Sequence, residues 1–169
     1  AMRESEASRR SSLDRIRGIR EDVAEEGRLR SDLGARRALG LFTAEAEDAV
    51  LIEDLLTQMK ESGADFTNTF AALSTGSSEQ DAWQSRWQTR LAKQPQSRGE
   101  VEQLMRRSNP AFIPRNHKVE EALAAATGGD LKPLHALLAV ITRPWDHDQK
   151  LPEYSNPGSP AGYKTFCGT

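Results

Sequence analysis

TAEAEDAVLIEDLLTQMKESG, residues 43–63, is the stretch whose reading decides the fold. Its apolar residues recur at three- and four-residue spacing, the period of an amphipathic helix and not the two-residue period of a strand. Thr43 reads as the opening residue, with Glu45 and Glu47 in the first turn, where acids complement the helix dipole. Val50, Leu51, Leu55 and Met59 are expected to face the core, with Ile52 and Leu56 widening the stripe. Ser62-Gly63 ends the helix.

The same reading extends outward on both sides. Asp65 is expected to cap a short helix carrying Phe66, Phe70 and Leu73. After the turn Thr75-Gly76-Ser77-Ser78, Ser78 and Asp81 begin another helix. It bears Trp83, Trp87 and Leu91, which line one side at four-residue spacing. Lys93-Gln94-Pro95-Gln96-Ser97 breaks the chain, and Arg98 to Ser108 is predicted helical with Val101, Leu104 and Met105 inward. Asn109-Pro110 and Ile113-Pro114 force an extended connection, because a residue before proline is pushed out of the helical region. Asn116 to Thr127 follows with Val119 and Leu123 inward, and Gly128-Gly129 stops it. Asp130 is expected to cap a last helix with Pro133 in its first turn and Leu134, Leu137, Leu138 and Ile141 buried.

Upstream, Ser8 to Leu33 is dense in Arg and Glu, with Leu13, Ile16, Ile19 and Val23 forming an apolar stripe that Gly18 and Gly27 weaken. From Arg143 onward, four prolines and several glycines preclude regular structure, leaving an irregular tail with Trp145, Tyr154, Tyr163 and Phe166 as anchors. The expected architecture is all-α: an irregular bundle of six or seven helices with an extended Pro/Gly-rich tail. Its parts are a helix over 1–34, a helical body over 35–142 and the tail over 143–169.

Composition bounds what such a chain does. The 169 residues suit one core, and 37% hydrophobic residues against 28% charged make an ordered helical part with polar ends. A net charge of −2 argues against a dedicated nucleic-acid or acidic-membrane binder. No apolar run approaches the ~18 residues of a membrane span. The first residues lack the apolar stretch of a secretory signal, and alanine ahead of Met2 reads as the remnant of a cleaved tag. One cysteine excludes an internal disulfide framework.

Catalytic signals are sparse. Gly128-Gly129-Asp130 reads as a helix stop and cap, not a phosphate loop. His117, His135 and His147 are far apart, and Asp146-His147-Asp148 reads as a solvated turn because consecutive residues rarely converge on one ion. Trp83 and Trp87 suit core or interface better than base stacking. The most constrained loop is Asn109 to Asn116. Pro110 and Pro114 fix its backbone, while Arg115 and Asn116 carry planar multi-donor groups suited to pinning carbonyls or a carboxylate. A rigid corner between helices and a ligand contact are both open there. Cys167, the third residue from the end, near Lys164 and away from acids, has the setting of an accessible thiol able to react as thiolate.

Several blocks in this order and spacing carry a resemblance. They are Leu39-Gly40-Leu41, Glu47 to Met59, Ala64-Asp65-Phe66-Thr67-Asn68-Thr69-Phe70, Asn109 to His117, Glu121-Ala122-Leu123 through Gly129-Asp130, and the terminal Thr165-Phe166-Cys167-Gly168-Thr169. Over Ala35 to Thr169 the chain resembles the C-terminal region of the selenoprotein O family. The resemblance implies a kinase-like protein adenylyltransferase that uses ATP and Mg²⁺ to transfer AMP to Ser, Thr or Tyr hydroxyls of protein substrates. None of that family's catalytic, cofactor-binding or metal-binding motifs maps onto these residues. The chain is then expected to be a non-catalytic helical extension, whose partner is the catalytic lobe of the same cytoplasmic protein. Cut from that lobe, it is expected to self-associate. Cys167 matches the family's terminal selenocysteine or cysteine, which implies a redox latch through a disulfide with the catalytic part. A stand-alone interaction module using the tail and the Trp83/Trp87 face is the alternative. An RNA-binding protein using the Arg-rich N-terminal helix comes third.

Overall fold

Residues 31–78 and 81–158 are described by the computed structural model, and among them there are helices and turns but no strand. The all-α reading holds. The stripe of Leu13, Ile16, Ile19 and Val23 lies outside the described residues, as do Tyr163, Phe166 and Cys167.

Helical residues 31–38 lead into seven further helices: α1 (Asp48–Ser62), α2 (Phe66–Thr75), α3 (Ala82–Leu91), α4 (Arg98–Ser108), α5 (Asn116–Thr127), α6 (Lys132–Ile141) and the single turn α7 (Pro152–Ser155). Local chemistry sets several of these starts. Asp65 accepts from the Asn68 N–H at 2.9 Å and Asp81 from the Gln84 N–H at 2.7 Å, each satisfying a first-turn donor that has no helical partner. Ser97 and Glu100 form a reciprocal capping box at the start of α4.

Packing pairs α1 with α3, α2 with α4, and α5 with α6. The main core joins Leu39 and Leu41 to Leu51, Leu55 and Met59 of α1, Phe70 and Leu73 of α2, Trp83 and Trp87 of α3, and Val101 and Met105 of α4. The two indoles stack with centroids 5.8 Å apart. Trp83 Nε1 donates to the Leu51 carbonyl at 2.8 Å and Trp87 Nε1 to the Leu39 carbonyl at 2.9 Å, so both buried N–H groups are satisfied. These tryptophans are core, and the Trp83/Trp87 face of the interaction-module alternative is not on the surface.

Gly40 explains how residues 39–41 enter that core. Its φ is +75°, and a Cβ there would stand 2.6 Å from Val101 Cγ1 and 3.1 Å from the Met105 side chain. Only glycine allows both the left-handed turn and this approach to α4.

Several sequence expectations need correction. Helix α1 begins at Asp48 and not Thr43, because Asp48 is drawn inward by Arg90. Arg90 Nε donates to Asp48 Oδ1 at 2.6 Å and Nη2 to the Thr43 carbonyl at 2.8 Å, while the Glu45 N–H donates to Asp48 Oδ2 at 2.9 Å. Residues 43–47 thus form a turn around a buried ion pair. On α1, Leu51, Leu55 and Met59 are buried but Val50 and Leu56 are exposed, since a step of one residue turns a side chain by about 100° around the axis. Phe66 is also exposed, unlike Phe70 and Leu73. Ala122 replaces Leu123 as the inward residue of α5, where a small side chain lets α6 come close. On α6, Leu137 and Val140 are buried and Leu138 is exposed. Leu131 and not Asp130 holds the N-cap position, with Asp130 Oδ1 accepting from the Lys132 N–H at 3.0 Å. The expected irregular tail contains one helical turn, α7, opened by Pro152.

Candidate functional site

The loop between α4 and α5 gathers four distant parts of the chain. Asn109 closes α4, its N–H donating to the Met105 carbonyl at 2.8 Å. Its buried side chain reaches two ways: Nδ2 donates to the Ala38 carbonyl at 2.7 Å and to Ser74 Oγ at 2.9 Å. Ser74 Oγ in turn donates to the Phe70 carbonyl at 2.7 Å, so one amide ties residues 31–38 to the end of α2. The Asn109 carbonyl is 2.9 Å from His147 Nε2, which also lies 3.2 Å from the Arg106 carbonyl. Both partners are acceptors, so Nε2 carries the proton. The Ala111 and Phe112 N–H groups donate to the Pro144 carbonyl at 2.7 and 3.2 Å.

Arg115 completes the corner. Standing at the N-cap position of α5, it sends Nη1 to Asp65 Oδ2 at 2.7 Å and Nη2 to Asp65 Oδ1 at 2.8 Å, a bidentate pair. Nη2 also donates to Asn68 Oδ1 at 3.2 Å and to the Ser155 carbonyl at 2.8 Å, which Asn68 Nδ2 reaches at 3.1 Å. One guanidinium therefore joins the start of α2, the start of α5 and the tail turn α7. The Arg115 hydrogen bonds hold the Asp65 carboxyl below the usual aspartate range; partial burial opposes this, and the Asn68 N–H adds to it. Gly158 continues the anchorage, with a Cβ there standing only 2.6 Å from His117 Nδ1.

The other singled-out residues scatter. Pro110 is half-buried, while Pro114 and Asn116 are exposed. His135 is exposed on α6. Asp146 pairs with Gln149, and Asp148 Oδ1 meets Arg106 Nη2 at 3.0 Å, so the Asp146-His147-Asp148 run points to three separate partners. Among the described residues no three His, Cys, Asp or Glu side chains are placed to hold a metal ion. No described helix is long and apolar enough to cross a membrane.

Sequence reasoning missed an apolar cleft beside the corner. It has a volume of about 550 Å³ and is walled by Ala35, Ala38, Ile52, Leu56, Phe66 and Ile113, with Pro110 at one edge. Phe66 is 60% exposed and Leu56 43%, so among the described residues large side chains of this face are left uncovered. The signal was present in α1 and α2, whose apolar stripes are wider than one core contact needs. Also missed was the burial of Asp48 and Arg90, which lie 42 positions apart.

No protein-family model matches the chain. It is similar to curated proteins named protein nucleotidyltransferase YdiU. The relative from Syntrophotalea carbinolica is 47% identical over 154 residues, covering 84% of this chain and 31% of the relative. That from Clostridium botulinum strain Hall is 45% identical over 148 residues, covering 80% and 30%. That from Bacillus cereus is 42% identical over 149 residues, covering 81% and 30%. The chain spans about 30% of the length of the curated relatives it matches.

Proposed function

The chain is a segment of a YdiU-family protein, and from that premise we propose that it is the C-terminal structural and regulatory segment of a protein adenylyltransferase. The parent protein, of kinase-like fold, would transfer AMP from ATP to Ser, Thr or Tyr hydroxyls of its protein substrates. This segment performs no transfer itself. The reading assigns ATP and Mg²⁺ to residues of the parent outside this chain.

The observation that carries the reading is the exposed apolar face around Leu56 and Phe66, on a chain about 30% the length of its relatives. A monomer rarely leaves such a face open to water, and the rest of the parent is the natural surface to cover it. Isolated, the segment would associate with itself through the same face. The Asn109–Arg115 corner fixes the helices behind the face, and the chain is anchored as far as Gly158. Cys167, outside the described residues, would form a reversible disulfide with a cysteine of the catalytic part, tying the tail down under oxidising conditions.

The test is AMP transfer by the full-length parent carrying Leu56→Asp and Phe66→Asp. Activity is expected to fall at least tenfold, while the 169-residue chain with the same changes keeps its helical content; undiminished transfer would refute the reading. For the latch, Cys167→Ala is expected to remove the response of transfer to oxidation, and a variant that responds as the parent does would discard that role.

A further inference from the structure

A second cleft, sharing no lining residue with the apolar one, lies between the C-terminal end of α2, helix α3 and helix α4. Its volume is about 490 Å³, within the range of small-molecule sites. Leu73, Trp87, Leu91, Val101 and Met105 supply apolar walls. Three amide side chains, Gln84, Gln88 and Gln96, also line it, and Gln84 and Gln96 each have a buried side-chain oxygen with no hydrogen-bond partner. Gln84 is only 4% exposed. Its Nε2 is committed to Ser78 Oγ at 2.6 Å, which leaves Oε1 as the free atom. Leaving a buried acceptor unpaired costs stability, so two on residues that line one cleft call for an explanation. The cleft also holds one cation and one anion, Arg98 and Glu102, whose formal charges cancel.

Each feature restricts the occupant. Apolar walls with an indole among them favour a flat, apolar body. Unpaired carbonyl oxygens need N–H donors. Balanced charge favours a neutral molecule over an anion or cation. We infer that this cleft binds a small neutral aromatic or heteroaromatic molecule bearing an amide or amino N–H donor, held by Gln84 and Gln96. The inference goes beyond the proposed buttressing role and uses none of the residues of the apolar face.

Benzamide and acetophenone are the probes, being close in shape and differing in NH₂ against CH₃. Titrated into the 169-residue chain, they are followed by the Trp87 indole N–H and the Gln84 and Gln96 side-chain amide signals in nitrogen-correlated NMR spectra. Benzamide is expected to bind roughly tenfold more tightly than acetophenone, because a site built around hydrogen bonds rejects the analogue that cannot make them. Gln84→Met is expected to bring the two probes within about twofold, by loss of that hydrogen bond. Gln96→Met provides the same reading should the first variant not fold. Absence of saturable benzamide shifts, equal binding of both probes, tighter acetophenone, or a preference that survives both substitutions would each overturn the inference. Loss of activity in the Leu56→Asp and Phe66→Asp parent bears only on the buttressing role, so the two ideas fail separately.

Discussion

Replacing Arg115 by methionine probes the corner most fully, because the change keeps the length of the side chain and removes its donors. Arg115 makes two charge-assisted bonds to Asp65 and one to the Ser155 carbonyl, at 2.7, 2.8 and 2.8 Å, with a longer one to Asn68. The Arg115 side chain is 9% exposed and that of Asp65 21%, so the pair is partly desolvated. Hydrogen bonds to charged groups contribute ~1.5–3 kcal/mol each in favourable cases. Asp65 keeps its Asn68 N–H and regains water once Arg115 is gone, which discounts the total. A loss of about 2–3 kcal/mol is expected in urea unfolding. The loss should be uneven: amides of 152–158 should lose hydrogen-exchange protection well before those of α4, because α7 depends on the clamp and α4 has its own capping box. The acid dependence has a definite sign. The folded carboxyl of Asp65 titrates below its ordinary value near 3.8, so its stabilisation is present above that value and lost as pH falls through the folded one. The variant should therefore show a flatter stability profile below about pH 4. Equal protection of 152–158 in both proteins, or a parallel acid profile, would refute the clamp.

The buried pair at the start of α1 should be the more sensitive site: Asp48→Asn leaves the Arg90 charge uncompensated, with an expected cost of about 3–5 kcal/mol in chemical denaturation. The double change Asp48→Leu with Arg90→Met should cost clearly less, because no lone charge remains buried. Gly40→Ala combines a positive φ with a Cβ 2.6 Å from Val101 and should lower stability by more than ~1 kcal/mol, read from the denaturation midpoint. A neutral effect would show that residues 39–41 move easily away from α4.

Local signals set the punctuation of the fold. Helix α4 runs Arg98–Ser108 and α5 runs Asn116–Thr127 as expected, because Pro95, Pro110, Pro114 and Gly128 act on their own neighbours. What was not legible depends on partners distant in the chain. Val50 turns outward while Leu51 stays inward as expected, where Trp83, 32 positions away, donates to its carbonyl. Thr43 fails to open α1 because Arg90, 47 positions on, takes its carbonyl. Arg115 was visible as a multi-donor group in a stiff loop, but its carboxylate partner lies 50 positions earlier, and nothing local in Asp65 distinguishes a cap from a cap that is also an ion-pair acceptor. Phe66 illustrates the converse: by pattern it belongs to the core of α2, and only the observed packing shows it exposed.

The central claim is that this segment completes a transferase whose reacting groups lie elsewhere. Its most direct measurement combines the separately produced remainder of the parent with the 169-residue chain and follows AMP incorporation into protein. Weak transfer by the remainder alone, none by the chain alone, and saturable recovery on mixing that Phe66→Asp abolishes is the result expected. Full activity of the remainder without the chain, or AMP transfer by the chain by itself, would contradict it.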